Sequence, residues 1–146
     1  MEVLVASEFP FENGRFEGRG QWMDQNAEGE YTVTTTIADG ADSTRIHTTK
    51  RVFLKLDGGT LYEEETTVTF TPGERSMFKV AIAFAAGTVR GKGYTMGQQC
   101  HFEVPISPSL SLECTFTLSS GKIEGLGSSS NKGNFTAWRE QLTKQA

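Results

Sequence analysis

Lys50 and Glu64 are ionisable groups of opposite sign that fall among apolar residues on the same face of two neighbouring runs of alternating sequence. Taking Asp57-Gly58-Gly59 as a three-residue loop, Lys50 opposes Thr66 and lies diagonal to Glu64, within reach of a long side chain. Ile46, Val52, Leu54, Leu56, Val68 and Phe70 share that face and mark it as interior. An inward lysine and glutamate are costly to bury unless paired and hydrogen-bonded, so they mark either a structural ion pair or the polar patch of a binding cavity. Thr35, Thr48 and Thr66 supply further polar contacts on the same face, and Tyr31, Tyr62, Phe78 and Trp22 supply apolar walls. In a cavity, Lys50 favours a carboxylate or other anionic head group. In an enzyme, Glu64 is a base whose pKa Lys50 sets, as an isomerase, cyclase or decarboxylase needs.

Other residues offer less chemistry. By the same parity His47 and His101 fall on the outer face, which leaves no paired metal or haem site and no expected cofactor. Glu63 and Glu65 also alternate outward, as solvated charge. Gly18-Arg19-Gly20 and Gly91-Lys92-Gly93 are not phosphate loops, because no strand-to-helix transition follows either. Cys100 has apolar expected neighbours and so lacks the basic partner that a nucleophilic thiol requires.

The elements that must position these side chains are all strands. From Arg15 to Thr143 the chain alternates with period 2 and carries no helix-length apolar stripe. Ten strands are expected, about Arg15–Trp22, Glu28–Ile37, Arg45–Leu56, Leu61–Thr71, Ser76–Phe84, Thr88–Thr95, Gln98–Val104, Leu110–Ser119, Lys122–Ser128 and Asn134–Thr143. Asp39-Gly40, Pro72-Gly73, Ala86-Gly87, Met96-Gly97, Ser120-Gly121 and Asn131-Lys132-Gly133 provide the turn chemistry between them. This pattern predicts an all-β fold, an antiparallel up-and-down β-barrel of about eight to ten strands. A five-residue loop from Pro105 to Ser109 sets Cys100 opposite Cys114, and Ser120-Gly121 sets Phe116 opposite Gly125. With Met96-Gly97 as the turn, Arg90 meets Glu103 and Lys92 meets His101 on the outside.

At 146 residues the chain suits one domain, with residues 15–146 as the barrel and residues 1–14 covering one of its ends, Glu8-Phe9-Pro10-Phe11 acting as the plug. Fourteen basic residues against 18 acidic give a net charge of −4, with no basic cluster, so nucleic acid is not an expected partner. No stretch has the length and apolarity of a membrane span, Met1 to Pro10 do not read as a secretory signal, and a cytosolic location is expected. Two cysteines are too few for a disulfide scaffold and are expected as buried thiols.

Gly20-Gln21-Trp22 ends the first strand and Trp138-Arg139 lies in the last. A G-x-W on the first barrel strand with a basic residue on the last resembles the calycin group of lipocalins, fatty-acid-binding proteins and avidins. The resemblance implies a closed barrel with Trp22 across its closed end and Arg139 stacked on the indole. The chain has no T-D-Y element and no helix pair after its first strand, so the resemblance extends to fold and not to a ligand. Three functions fit this reading: a barrel binding a small amphipathic or anionic molecule, an enzyme built on the Glu64–Lys50 pair, or an interaction module with a filled core.

Overall fold

The computed structural model describes residues 11–146. Ten antiparallel strands run in chain order: β1 Gly14–Met23, β2 Glu28–Asp39, β3 Arg45–Leu54, β4 Thr60–Pro72, β5 Met77–Phe84, β6 Gly87–Met96, β7 Gln99–Ser107, β8 Leu110–Ser119, β9 Lys122–Asn131 and β10 Asn134–Lys144. Each pairs with its neighbours in sequence, and β1 pairs with β10 to close the barrel. Closure leaves no unpaired strand edge, the device that keeps so strand-rich a chain from edge-to-edge association. The β9–β10 hairpin shows the local cause: Lys132 and Gly133 both have positive φ, the geometry of a two-residue turn whose twist matches the strands. A single 3-10 turn, Ala41–Ser43, links β2 to β3, and no helix among the described residues is long and apolar enough to cross a membrane.

The expected registers hold or fail in an instructive order. β8 and β9 pair as expected, with Phe116 opposite Gly125 and Leu118 opposite Ile123. Between β7 and β8 the register slips by two residues, so Cys100 opposes Phe116 and Cys114 opposes Phe102, and the two cysteines are diagonal neighbours. Between β6 and β7 it also slips by two, because Gly97 and Gln98 form the turn, so Lys92 opposes Glu103 and Tyr94 opposes His101. A two-residue slip preserves faces, so the inward residues remain inward.

Between β3 and β4 the slip is by one, and every side chain of β3 changes face. Thr49 opposes Thr66 and Arg51 opposes Glu64, with a register shift between Phe53 and Leu54. The connection is wider than three residues: the Lys55 N–H donates to the Gly59 carbonyl at 2.7 Å, and the Gly58 N–H to the Lys55 carbonyl at 3.0 Å. His47, Thr49, Arg51 and Phe53 therefore face inward, while Thr48 and Lys50 are exposed on the outside.

One end of the barrel is packed. Phe11, Phe16, Ile37, Phe70, Phe78, Val80, Leu118, Ile123 and Leu142 are all buried there. Phe11 lies 4.5 Å from the His47 ring, 5.6 Å from Phe70 and 5.8 Å from Phe116, centroid to centroid, and its carbonyl accepts from Arg45. Of the segment 1–14, expected to cover one end of the barrel, residues 1–10 lie outside the described residues. At the opposite end Trp22, Phe53, Leu112 and Trp138 are only partly buried, and the interior is open.

Candidate functional site

β10 alternates Trp138, Glu140 and Leu142 inward, which brings the Glu140 carboxylate into the barrel with 3% of its surface exposed. Across the interior, Arg51 answers it with two parallel bonds: Nε donates to Oε1 at 3.1 Å and Nη2 to Oε2 at 3.2 Å. The Tyr31 hydroxyl, from β2, donates to Oε1 at 2.8 Å. Such a fork satisfies both carboxylate oxygens and removes most of the penalty of burying them. Glycines make the room. A Cβ at Gly20 would lie 2.1 Å from the Tyr31 ring, and one at Gly125 would lie 3.1 Å from Glu140 Cγ.

The electrostatics follow from burial and pairing. Burial works against the Arg51 charge, but the Glu140 carboxylate and its hydrogen bonds outweigh it and hold the guanidinium above its ordinary pKa, with Tyr31 and Glu64 adding to the effect. Burial raises the Tyr31 phenol, and the negative charge of Glu140 raises it further, so Tyr31 stays a protonated donor. Arg51 Nη1 also lies 3.8 Å from Glu64 Oε1, beyond hydrogen-bonding distance, and the Glu64 side chain is 41% exposed.

The Tyr31–Glu140–Arg51 brace lies between two cavities. Toward the open end lies a cavity of about 520 Å³, lined by Arg51, Glu64 and Thr66 from β3 and β4 and by Val68, Ile82, Phe102, Leu112, Cys114 and Phe116, with Glu64 nearer the mouth than Val68. At its mouth Trp22 and Trp138 stand opposite each other on β1 and β10, and Tyr62 stacks on Phe53 at 4.6 Å with an interplanar angle of 9°. Exposed Met23, Leu56 and Leu61 give the rim an apolar border. Asp24 completes the mouth, its Oδ1 accepting from the Asn26 and Ala27 N–H groups of the β1–β2 turn.

Toward the packed end a second cavity, about 50 Å³, is lined by Thr35, Thr49 and His47, with Arg51, Glu140 and Thr66 on the side of the brace and apolar residues around the rest. The two threonine hydroxyls bond each other at 2.9 Å. His47 Nε2 is buried with no hydrogen-bond partner among the described residues. Burial, with the nearby Arg45 charge, lowers the His47 pKa to about 3, so the ring is neutral at physiological pH.

The residues singled out from sequence are therefore divided. Glu64, Thr66, Tyr31, Tyr62 and Trp22 line the main cavity, Thr35 lines the smaller one, and Phe78 packs edge-on against Phe70 at the closed end. Thr48 and Lys50 do not reach the interior, and Lys50 pairs outside with Glu63 at 3.3 Å. The Lys50–Glu64 pair does not form, and with it goes the basis for an anionic head group and for the acid–base enzyme. His47 faces inward, not outward, for the same reason. Trp22 stands at the open end, because β1 runs from buried Phe16 at the packed end to the mouth, and Arg139 alternates outward, away from the indole. Arg51, Glu140 and Phe53 are the site residues that sequence reasoning missed. The Glu140 signal was available, since inward Trp138 and Leu142 flank it at two-residue spacing.

On the outer face His101, Glu103 and Glu113 bring potential ligand atoms within 4.8 Å of one another, with His101 Nδ1 bonded to Thr115 at 2.9 Å. Both glutamates there are exposed.

The fold and the cavity define a closed ten-stranded up-and-down barrel with an interior open at one end. No protein-family model matches the chain, and no curated protein does. Among solved structures, the crystal structure of Rv2717c from M. tuberculosis matches with a TM-score of 0.73 over 92% of each chain, at 15% identity. That similarity is one of fold.

Proposed function

We propose that this protein binds a small amphipathic molecule inside the barrel, entering at the open end past the paired Trp22 and Trp138. The observation that carries the reading is the cavity of about 520 Å³, a size within the range of small-molecule sites. Its walls are mostly apolar and aromatic, and its charged groups are few, Arg51 and Glu64 facing each other from β3 and β4 and Asp24 at the mouth. The brace fixes Arg51 and Tyr31, so this part of the wall is organised before a ligand arrives and little ordering accompanies binding. A filled interaction module would leave no open interior, whereas here a volume of about 520 Å³ separates the walls above the packed end.

The test is titration with N-phenyl-1-naphthylamine, an uncharged probe that fluoresces in apolar surroundings. Saturable binding of one probe per chain is the expected result, and Leu112→Phe, which extends a wall residue into the cavity, should weaken it. Absence of saturable binding to the wild-type chain would overturn the reading.

A further inference from the structure

We infer that the cavity selects an amphipathic cation, a protonated amine on an apolar body, over the corresponding anion. The inference rests on the binding function proposed above and names the head group that the site takes.

Charge along the cavity wall and at the mouth is the first argument. Arg51 is the one cation among the described residues lining the cavity, and both of its bonds run to Glu140, whose two oxygens they occupy. Glu64 faces the same cavity with its carboxylate 3.8 Å from the remaining guanidinium nitrogen, and 41% of its side chain is exposed. It keeps accepting positions for a donor that comes from the cavity side. Asp24 adds a second carboxylate at the mouth. One guanidinium thus stands among three carboxylates, and an incoming anion would meet Glu64 before it met any unoccupied donor of Arg51. Lys50, which would have reversed this balance, lies outside the barrel.

The walls supply the second argument. Trp22, Trp138, Phe53 and Tyr62 gather at the mouth, and the face of an aromatic ring attracts a cation and repels an anion. The net charge of −4 works in the same direction on approach. An ammonium group would therefore bond Glu64 just inside the aromatic mouth, with its apolar body reaching deeper against Val68 and Ile82.

The experiment compares dodecylamine, dodecanol and dodecanoate, which share one apolar body, by calorimetric titration below their micellar concentrations at neutral pH. The amine should bind about tenfold or more tighter than the alcohol, as a charge-assisted bond in a partly desolvated site provides, with the acid weakest. Glu64→Gln should bring the amine-to-alcohol ratio toward one with the circular dichroism spectrum unchanged, whereas Lys50→Gln, on the outer face, should leave the ratio as it is. Equal binding of the three compounds, tighter binding of dodecanoate, or an unchanged ratio in Glu64→Gln would overturn the cation assignment and leave cavity binding standing. Binding of none of the three would remove the cavity function and this inference together.

Discussion

Arg51 and Glu140 meet across the interior from strands that are not neighbours in the sheet, β3 and β10, through paired bonds of 3.1 and 3.2 Å. Backbone hydrogen bonds tie each strand only to those beside it. This ion pair instead ties together parts of the wall three strands apart, and it lies between the main cavity and the smaller one.

Removing one partner should be far worse than removing both. Arg51→Met leaves Glu140 as a lone buried carboxylate and should cost about 3–5 kcal/mol, while Arg51→Met combined with Glu140→Leu should recover much of that loss. Urea denaturation of the two single variants and the double variant measures the coupling. Additive losses would show that the residues do not act as a pair.

His47 should make the fold sensitive to acid. Its folded pKa, about 3, lies below the ordinary histidine value, so as pH falls the unfolded chain takes up the proton first. This contribution to stability is complete above the unfolded value of 6.5 and is lost as pH falls from there toward about 3, by up to about 1.4 kcal/mol per pH unit. His47→Leu should be less acid-sensitive than the wild type by that slope. Parallel pH dependences of the two proteins would show that His47 is accessible to protons in the folded state.

Much of the fold was legible in the sequence, because ten runs of period-2 alternation separated by Gly, Asn, Asp and Pro turns admit few alternatives to a meandering barrel. Turn lengths were harder to read. At Cys100 and Cys114 the two-residue difference changes partners and preserves faces, so both cysteines stay inward as expected. At Lys50 the irregularity between Phe53 and Leu54 added one residue and exchanged the faces of a whole strand. Thr48-Thr49 in the middle of that strand fits either face equally well, so composition gave no warning. Arg51 therefore points inward with 20% of its side chain exposed, and Lys50, expected inside, points outward.

The cysteines should behave as inert thiols. Both are free and buried, and burial raises the Cys100 and Cys114 pKa values to about 12, so almost no thiolate exists at neutral pH. A thiol reagent should react slowly with the native protein and release two equivalents after denaturation. Fast native reaction would show that the wall of the cavity at Cys114 opens readily to water.

The most direct test of interior binding uses the two indole N–H signals in a nitrogen-15 correlation spectrum, since the chain has only two tryptophans and both stand at the cavity mouth. Titration with N-phenyl-1-naphthylamine should shift both signals along one saturable curve, while the backbone amides of His101 and Glu113 on the outer face stay in place. Indole signals that remain unmoved while the probe binds would place the ligand elsewhere and contradict a site inside the barrel.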